Sequence, residues 1–195
     1  MGALSDQITK EWRKTAAWKE IEEEAARSFK FQRQCSVMLE GMFPQFPFKY
    51  PDKRWMDGKK PFDLLIRPAF KIELEGGLRS LYWTDHIPFK DWHRGLSVLT
   101  RKLVKCKDGS TRWDLFIKFS RTRESFFAVT YEYLLKIGVF DRLFRNPLKY
   151  STNNDYLCVP LDKVLNDDQN MCYDDFGLLE KLITNQLKVK NARLL

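Results

Sequence analysis

Two apolar runs near the centre of the chain restrict its fold more than any other feature. The first, WDLFIKFS, covers residues 113–120, and the second, FFAVTY, covers residues 126–131. Aromatic and β-branched runs of this length, separated by a polar turn, are typical of two neighbouring buried strands. The sequence therefore predicts a β-sheet at the centre of the protein.

Further strands and helices are predicted on both sides of these runs. Strands at 62–66 and 70–75 are expected to form an antiparallel hairpin around Arg67-Pro68-Ala69, because the connection is tight. A last strand is predicted at 156–162, and helices are predicted at 5–40, 91–102, 131–144 and 174–190. This order of elements predicts an α/β fold with a central mixed β-sheet flanked by helices.

The length of 195 residues is that of one domain, covering residues 1–195. We expect it to contain an N-terminal helical segment (1–41), a basic and aromatic loop (42–62), a sheet core (62–165) and a C-terminal helix (174–190).

The charge of the chain points to a polyanionic partner. Lysine and arginine number 34 against 26 aspartates and glutamates, so the formal net charge is +8, which favours association with nucleic acid. Two basic groups are the predicted contacts: Lys49, Lys53, Arg54, Lys59 and Lys60 in the loop, and Lys90, Arg94, Arg101 and Lys102 further on. The alternatives are solvated surface charges, or a scaffold whose basic surface meets an acidic protein.

Cysteine usage and hydropathy predict the compartment. The four cysteines are widely and irregularly spaced, which is typical of reduced thiols and gives no zinc-binding pattern. Polar residues follow Met1, and no run approaches the roughly 18 apolar residues of a membrane span. We expect a cytoplasmic protein, or a nuclear one in a eukaryote, with no membrane partner.

The predicted hairpin carries the acidic residues that could support chemistry. Side chains alternate along a strand, so Lys71, Glu73 and Glu75 share one face, while Asp63 begins the neighbouring strand and comes near Glu73. Converging carboxylates repel unless a cation neutralises them, and oxygen ligands suit Mg²⁺ or Mn²⁺. The alternative is an ordinary sheet with one face toward water.

This arrangement resembles the PD-(D/E)XK nuclease superfamily. An aspartate at the start of a strand is followed after about ten residues by Glu-x-Glu in the next strand, and a helix with Glu22 precedes both. The resemblance spans roughly residues 15–135 and implies a restriction-endonuclease-like core. Two positions depart from the family pattern: Phe62 replaces the usual Pro, and Glu75 stands where Lys is commoner.

The resemblance also implies roles for individual residues. Asp63, Glu73 and the Leu74 carbonyl would hold Mg²⁺ or Mn²⁺, and Glu75 would complete a second metal site or deprotonate the attacking water. Glu22 would hold a water of the metal shell. Lys71 would contact the scissile phosphate, or alternatively pair with Glu73.

The function implied is that of a metal-dependent endonuclease that hydrolyses phosphodiester bonds, of DNA rather than RNA. It would act as a homodimer or with a partner protein of a larger DNA-processing complex. The alternative is a non-catalytic nucleic-acid-binding accessory subunit of a replication, recombination or packaging complex.

Overall fold

The computed structural model describes the parts of the chain that carry most of the predicted sheet. The described residues are 16–49, 63–66, 69–76, 96–99, 103, 109–120, 122–137, 143–145, 155–159 and 161–192. The helices are α1 (Ala16–Met42), α2 (Tyr131–Lys136) and α3 (Phe176–Ala192). The strands are β1 (Phe48–Lys49), β2 (Leu64–Ile66), β3 (Phe70–Gly76), β4 (Leu96–Leu99), β5 (Leu115–Phe119), β6 (Phe126–Thr130), β7 (Leu143–Arg145), β8 (Asp155–Val159) and β9 (Met171–Tyr173).

The main sheet is mixed, as the sequence predicts. Its strand order within the described residues is β1-β2-β3-β5-β6-β9. Strands β1, β2 and β3 pair antiparallel, β3 pairs parallel with β5, and β5, β6 and β9 pair antiparallel. The hairpin of β2 and β3 and the neighbouring pair β5–β6 are both confirmed. The α/β class follows from this sheet and the helices beside it.

Apolar side chains cover both faces of the main sheet. On the first face, Ile72 and Leu74 pack with Cys35 and Leu39 of α1 and with Leu182 of α3. The second face has its own core, built from β5, β6 and α2, with these residues at its centre: Trp113, Phe116, Phe127, Val129, Tyr131 and Leu134. Burial on both faces explains why β5 and β6 are near-continuous apolar runs without alternation.

Several predicted elements need correction. The predicted helix at 91–102 contains strand β4, because a four-residue apolar segment fits either state and here pairs antiparallel with β8. The helix predicted at 131–144 ends at Lys136, and residues 143–145 form β7. Strand β1 lies inside the predicted basic loop, and β9 was not predicted. The predicted helical residues 5–15 lie outside the described ranges.

A second, smaller sheet was also not predicted. Within the described ranges it has three strands in the order β4-β8-β7, all antiparallel. Among the helices of the same ranges, none combines the length and the apolar character needed to cross a membrane.

The turn before β9 depends on one carboxylate. Asp167 Oδ1 accepts hydrogen bonds from the backbone N–H groups of Gln169 (2.8 Å), Asn170 (2.6 Å) and Met171 (3.4 Å). Burial by itself would raise the pKa of Asp167, but these hydrogen bonds favour the ionised form, and the pKa lies below its ordinary value of 3.8. The ionised carboxylate therefore stabilises the turn.

We expect Asp167→Ala to lower the free energy of unfolding by about 1–3 kcal/mol at pH 7, because backbone donors lose their acceptor. Since the folded pKa is lowered, this stabilisation is complete above the ordinary value of 3.8 and is lost as the pH falls through the folded value. Urea titrations at pH 7 and pH 3 should show the difference from wild type shrinking at the lower pH. Asp168→Ala is the control, because the Asp168 carboxylate accepts its hydrogen bond from the side-chain amide of Gln169, at 3.3 Å. An equal loss in both variants would contradict the assignment.

Candidate functional site

Strand β2 begins just after Asp63, and β3 continues past Ile72, its last register partner in β2, while still paired with β5 on its other side. The Asp63 backbone N–H still donates to the Ile72 carbonyl, at 2.9 Å. Two residues further along β3, Leu74 has no strand residue opposite it in β2. The Asp63 side chain takes that place, and its Oδ2 accepts a hydrogen bond from the Leu74 N–H at 2.8 Å. The carboxylate is therefore fixed at the edge of β3.

Helix α1 supplies the third member of this arrangement. Gln32 Nε2 donates to Asp63 Oδ2 at 3.3 Å and to the Leu74 carbonyl oxygen at 3.0 Å. The buried neighbours Phe31 and Cys35 anchor this part of the helix on the first face of the sheet. Both Asp63 and Gln32 are half-buried. The Asp63 carboxylate oxygen and the Leu74 carbonyl oxygen thus face the same point, and the amide nitrogen of Gln32 occupies that point.

A buried ion pair lies on the opposite face of the same strand. Glu75 is in register with Lys118 of the parallel strand β5, and Lys118 Nζ lies 3.0 Å from Glu75 Oε1. The Lys118 side chain is 4% exposed and that of Glu75 is 19% exposed. Both charged groups are largely removed from water. The attraction between two buried charges offsets the cost of burying them only when the geometry of the pair is good.

Lys71 lies near the beginning of β3. Its Nζ donates to the Thr111 carbonyl at 3.1 Å, and its backbone N–H donates to Asp114 Oδ2 at 2.7 Å. Asp114 Oδ2 also accepts from Lys190 Nζ, which ties the end of α3 to the start of β5. The geometry of Lys71 thus supports the junction of β3 and β5, and its phosphate contact stays a prediction.

The structure brings together some of the predicted metal ligands. Asp63 meets the Leu74 carbonyl at one point, while Glu73 and Glu75 are half-buried and alternate with the core residues Ile72 and Leu74. No group of three or more His, Cys, Asp or Glu side chains in the described part of the chain is close enough to hold a metal ion. The expected three-carboxylate cluster is therefore not assembled there.

The helix residue that contacts Asp63 in the described part of the chain is Gln32. It follows Glu22 by ten residues in α1, which corresponds to about 15 Å along the helix axis. The Glu22 side chain is outside the described part of the structure, and its role in a metal shell stays a prediction.

One of the predicted nucleic-acid contacts lies beside the site. Lys49 is exposed on the edge strand β1 and pairs in register with Leu65, two residues from Asp63. Residues 50–62, which make up most of the predicted basic and aromatic loop, lie outside the described residues. The other predicted contacts lie outside the described residues: Lys53, Arg54, Lys59, Lys60, Lys90, Arg94, Arg101 and Lys102.

Sequence reasoning missed Gln32 and Lys118. Gln32 carries no charge and belongs to no motif, so the sequence contains no signal that would single it out. Lys118 interrupts the apolar run of β5, and a charge inside a fully buried strand is such a signal, since lysine is almost never buried without a partner. Its partner becomes evident only from the parallel register.

The side chains of Cys35 and Cys172 are described, and both are free and buried. Burial raises the pKa of Cys35 to about 12, although the charge of Arg123 acts in the opposite direction. The pKa of Cys172 is also raised, by burial and then by the charges of Asp175 and Asp167. Burial therefore disfavours the thiolate form of both side chains at neutral pH.

The chain was compared with protein-family models, with curated proteins and with solved structures, and none of them matches it. The function must therefore be argued from the geometry above.

We expect breaking the buried ion pair to be costly. Lys118→Met and Glu75→Gln should each lower the free energy of unfolding by about 3–5 kcal/mol, because each leaves a buried charge without its partner. The double variant should lose less than the sum of the two. Chemical denaturation of the wild type, the two single variants and the double variant measures the coupling free energy between Lys118 and Glu75.

The exposed pair Lys163–Asp162 provides the control for this cycle. Its charged groups are 3.6 Å apart, and its side chains are 53% and 71% exposed. Lys163→Met should change the free energy of unfolding by at most about 1 kcal/mol. Additive effects of Lys118→Met and Glu75→Gln would show that the two groups do not depend on each other.

Proposed function

We propose that this protein is a metal-dependent nuclease that hydrolyses phosphodiester bonds of nucleic acid, DNA rather than RNA. The observation that carries the proposal is the convergence of Asp63 Oδ2 and the Leu74 carbonyl oxygen on one point at the edge of β3. These are two of the oxygen ligands that the nuclease resemblance implies for Mg²⁺ or Mn²⁺.

The chemistry of these donors fits a hard divalent cation. Carboxylate and carbonyl oxygens are ligands of such ions. The point they face already holds the partly positive amide group of Gln32, so its electrostatics favour positive charge. Asp63 and Leu74, with Glu73 next to Leu74 in β3, would hold the ion, which when bound supplies a water of lowered pKa and neutralises charge on the phosphate.

Glu75 and Lys118 supply a carboxylate and an ammonium group from neighbouring strands. The resemblance favours Lys at position 75, and here the ammonium group comes from β5 and lies 3.0 Å from Glu75. Glu75 would keep the role that the resemblance implies, accepting a proton from the attacking water, while Lys118, with a side chain that is 4% exposed, would hold the Glu75 carboxylate in place.

The order of elements agrees with a restriction-endonuclease-like core. Helix α1 precedes the motif, Asp63 stands at the start of β2, Glu73 and Glu75 lie in β3, and further strands follow. The net charge of +8 and the exposed Lys49 beside Asp63 support binding of a phosphate backbone at this edge.

A second candidate function is non-catalytic binding of nucleic acid. The observation in its favour is that Gln32 satisfies both Asp63 and the Leu74 carbonyl without any ion. The sheet would then serve only to carry the basic segment between Lys49 and Asp63. Cleavage assays separate the two functions, because both require binding and only the first requires the carboxylates.

We expect Asp63→Asn and Glu73→Gln to reduce Mn²⁺-dependent cleavage of plasmid and single-stranded DNA by about a hundredfold or more, because each removes a charged ligand. Binding of DNA should stay within about threefold of wild type, since no basic group is changed. Glu124→Gln, an exposed surface change, is the matched control. Cleavage at the wild-type rate by both site variants would rule out this site.

Binding should also depend steeply on salt. If Lys49 contacts a phosphate, Lys49→Ala should reduce the slope of log K against log salt concentration by about 1, because one fewer counterion is released. Lys136, exposed at the end of α2, gives a control in Lys136→Ala. Fluorescence anisotropy with labelled DNA from 50 to 200 mM salt would measure both slopes, and identical slopes would exclude Lys49 from the interface.

A further inference from the structure

The Gln32 side chain bridges the two oxygens of the proposed cation site. Its Nε2 donates to Asp63 Oδ2 and to the Leu74 carbonyl, and its own backbone carbonyl accepts a hydrogen bond from Ser36 Oγ at 2.9 Å within α1. The helix backbone around Gln32 is thus fixed, with Phe31 and Cys35 buried beside it. Among the hydrogen bonds of α1 described above, those of the Gln32 side chain reach the edge of β3.

The chemistry of the two partners determines which atom of the amide faces them. An ionised carboxylate and a carbonyl group both accept hydrogen bonds and neither donates. The nitrogen of the amide must therefore face them when no cation is bound. Turning the amide over would place three oxygens around one point, which is the ligand set of a hard divalent ion.

From this geometry we infer that Gln32 is a ligand of the cation and that its amide reverses when the ion binds. In the cation-free protein Nε2 donates to Asp63 and Leu74, and in the loaded protein Oε1 faces the ion. This inference rests on the proposed function, because it assigns a further residue to the same site.

Distances require this change of orientation. Mg²⁺ lies about 2.0–2.1 Å from its oxygen ligands, whereas Nε2 now lies 3.3 and 3.0 Å from the two oxygens. An ion between Asp63 and the Leu74 carbonyl would therefore meet the N–H groups of Gln32. The final side-chain torsion of glutamine is broad and roughly two-fold, so rotation about it exchanges Nε2 and Oε1 without any change in α1.

Substitutions of Gln32 that alter its donor capacity test the inference. Gln32→Glu replaces the donor by a carboxylate that repels Asp63, so the melting temperature should fall without metal. The same variant should bind Mn²⁺ about tenfold more tightly, because it adds a charged ligand, and should recover its melting temperature as Mn²⁺ is added. Gln32→Leu should bind Mn²⁺ about tenfold or more weakly than wild type.

The matched control is Gln34→Glu, which adds the same charge two residues along the same helix. Gln34 is exposed and accepts a hydrogen bond from Arg123 at 2.9 Å, away from the Asp63 site. Mn²⁺ affinity, measured by electron paramagnetic resonance of the free ion, should be unchanged in this variant. Melting temperatures with and without Mn²⁺ give the second readout for every protein.

A third readout follows the amide itself. The side-chain NH₂ resonances of Gln32, assigned by their loss in Gln32→Leu, should move during a Mg²⁺ titration of the wild type. Those of Gln45, whose Nε2 donates to Glu180 at 2.8 Å on the surface, should stay in place. Static Gln32 resonances at saturating Mg²⁺ would overturn the proposed reversal.

Two outcomes separate this inference from the proposed function. If wild type binds Mn²⁺ in an Asp63-dependent way and Gln32→Glu changes only the melting temperature, Gln32 is a structural partner of β3 and the inference is wrong while the cation site stands. If wild type binds no Mn²⁺, and Asp63→Asn does not change its melting behaviour with metal, the cation site and the inference both fail.

Discussion

The end of β2 imposes the constraint on which the candidate site depends. The register of β2 on β3 ends at the pair Leu64 and Ile72, and two residues further along β3 the N–H and C=O groups of Leu74 bond to side chains. Unsatisfied backbone groups next to a core are costly, so a carboxylate acceptor and an amide donor are placed there. The same requirement that stabilises the fold thus concentrates oxygen atoms at one edge of the sheet.

The two faces of β3 carry different side chains, apolar ones on one face and charged ones on the other. Ile72 and Leu74 are fully buried against α1 and α3, and this packing fixes the position of β3 in the core. Glu75 points to the other face, where β5 places Lys118 next to Phe116 and Phe127. A buried ion pair in apolar surroundings gives little net stability of its own, because the cost of removing both charges from water offsets their attraction.

The sequence predicts those parts of the fold that arise from local patterns. The runs 113–120 and 126–131 contain β5 and β6 because every residue of these strands is buried, and the antiparallel pairing of β2 with β3 follows from the short connection between them. Strand β4 could not be predicted, because its four residues become a strand only through pairing with the distant β8.

The same reasoning explains which parts of the candidate site could be predicted. Asp63 and Glu75 were found because a carboxylate at a strand end and an alternating charge are visible in a local pattern. Gln32 and Lys118 act through contacts across the sheet, from a helix and from a parallel strand. Such contacts depend on tertiary packing and register, which no single segment of the chain specifies.

The parallel pairing of β3 with β5 has a consequence for how the chain acquires its structure. A parallel pair cannot be joined by a tight turn, so the whole crossover must be closed before these strands meet. Closing a long loop costs entropy before any non-local contact compensates for it, and such pairings form slowly. We therefore expect the carboxylate of Glu75 and the ammonium of Lys118 to stay hydrated until β3 and β5 pair, and to lose their water together at that step.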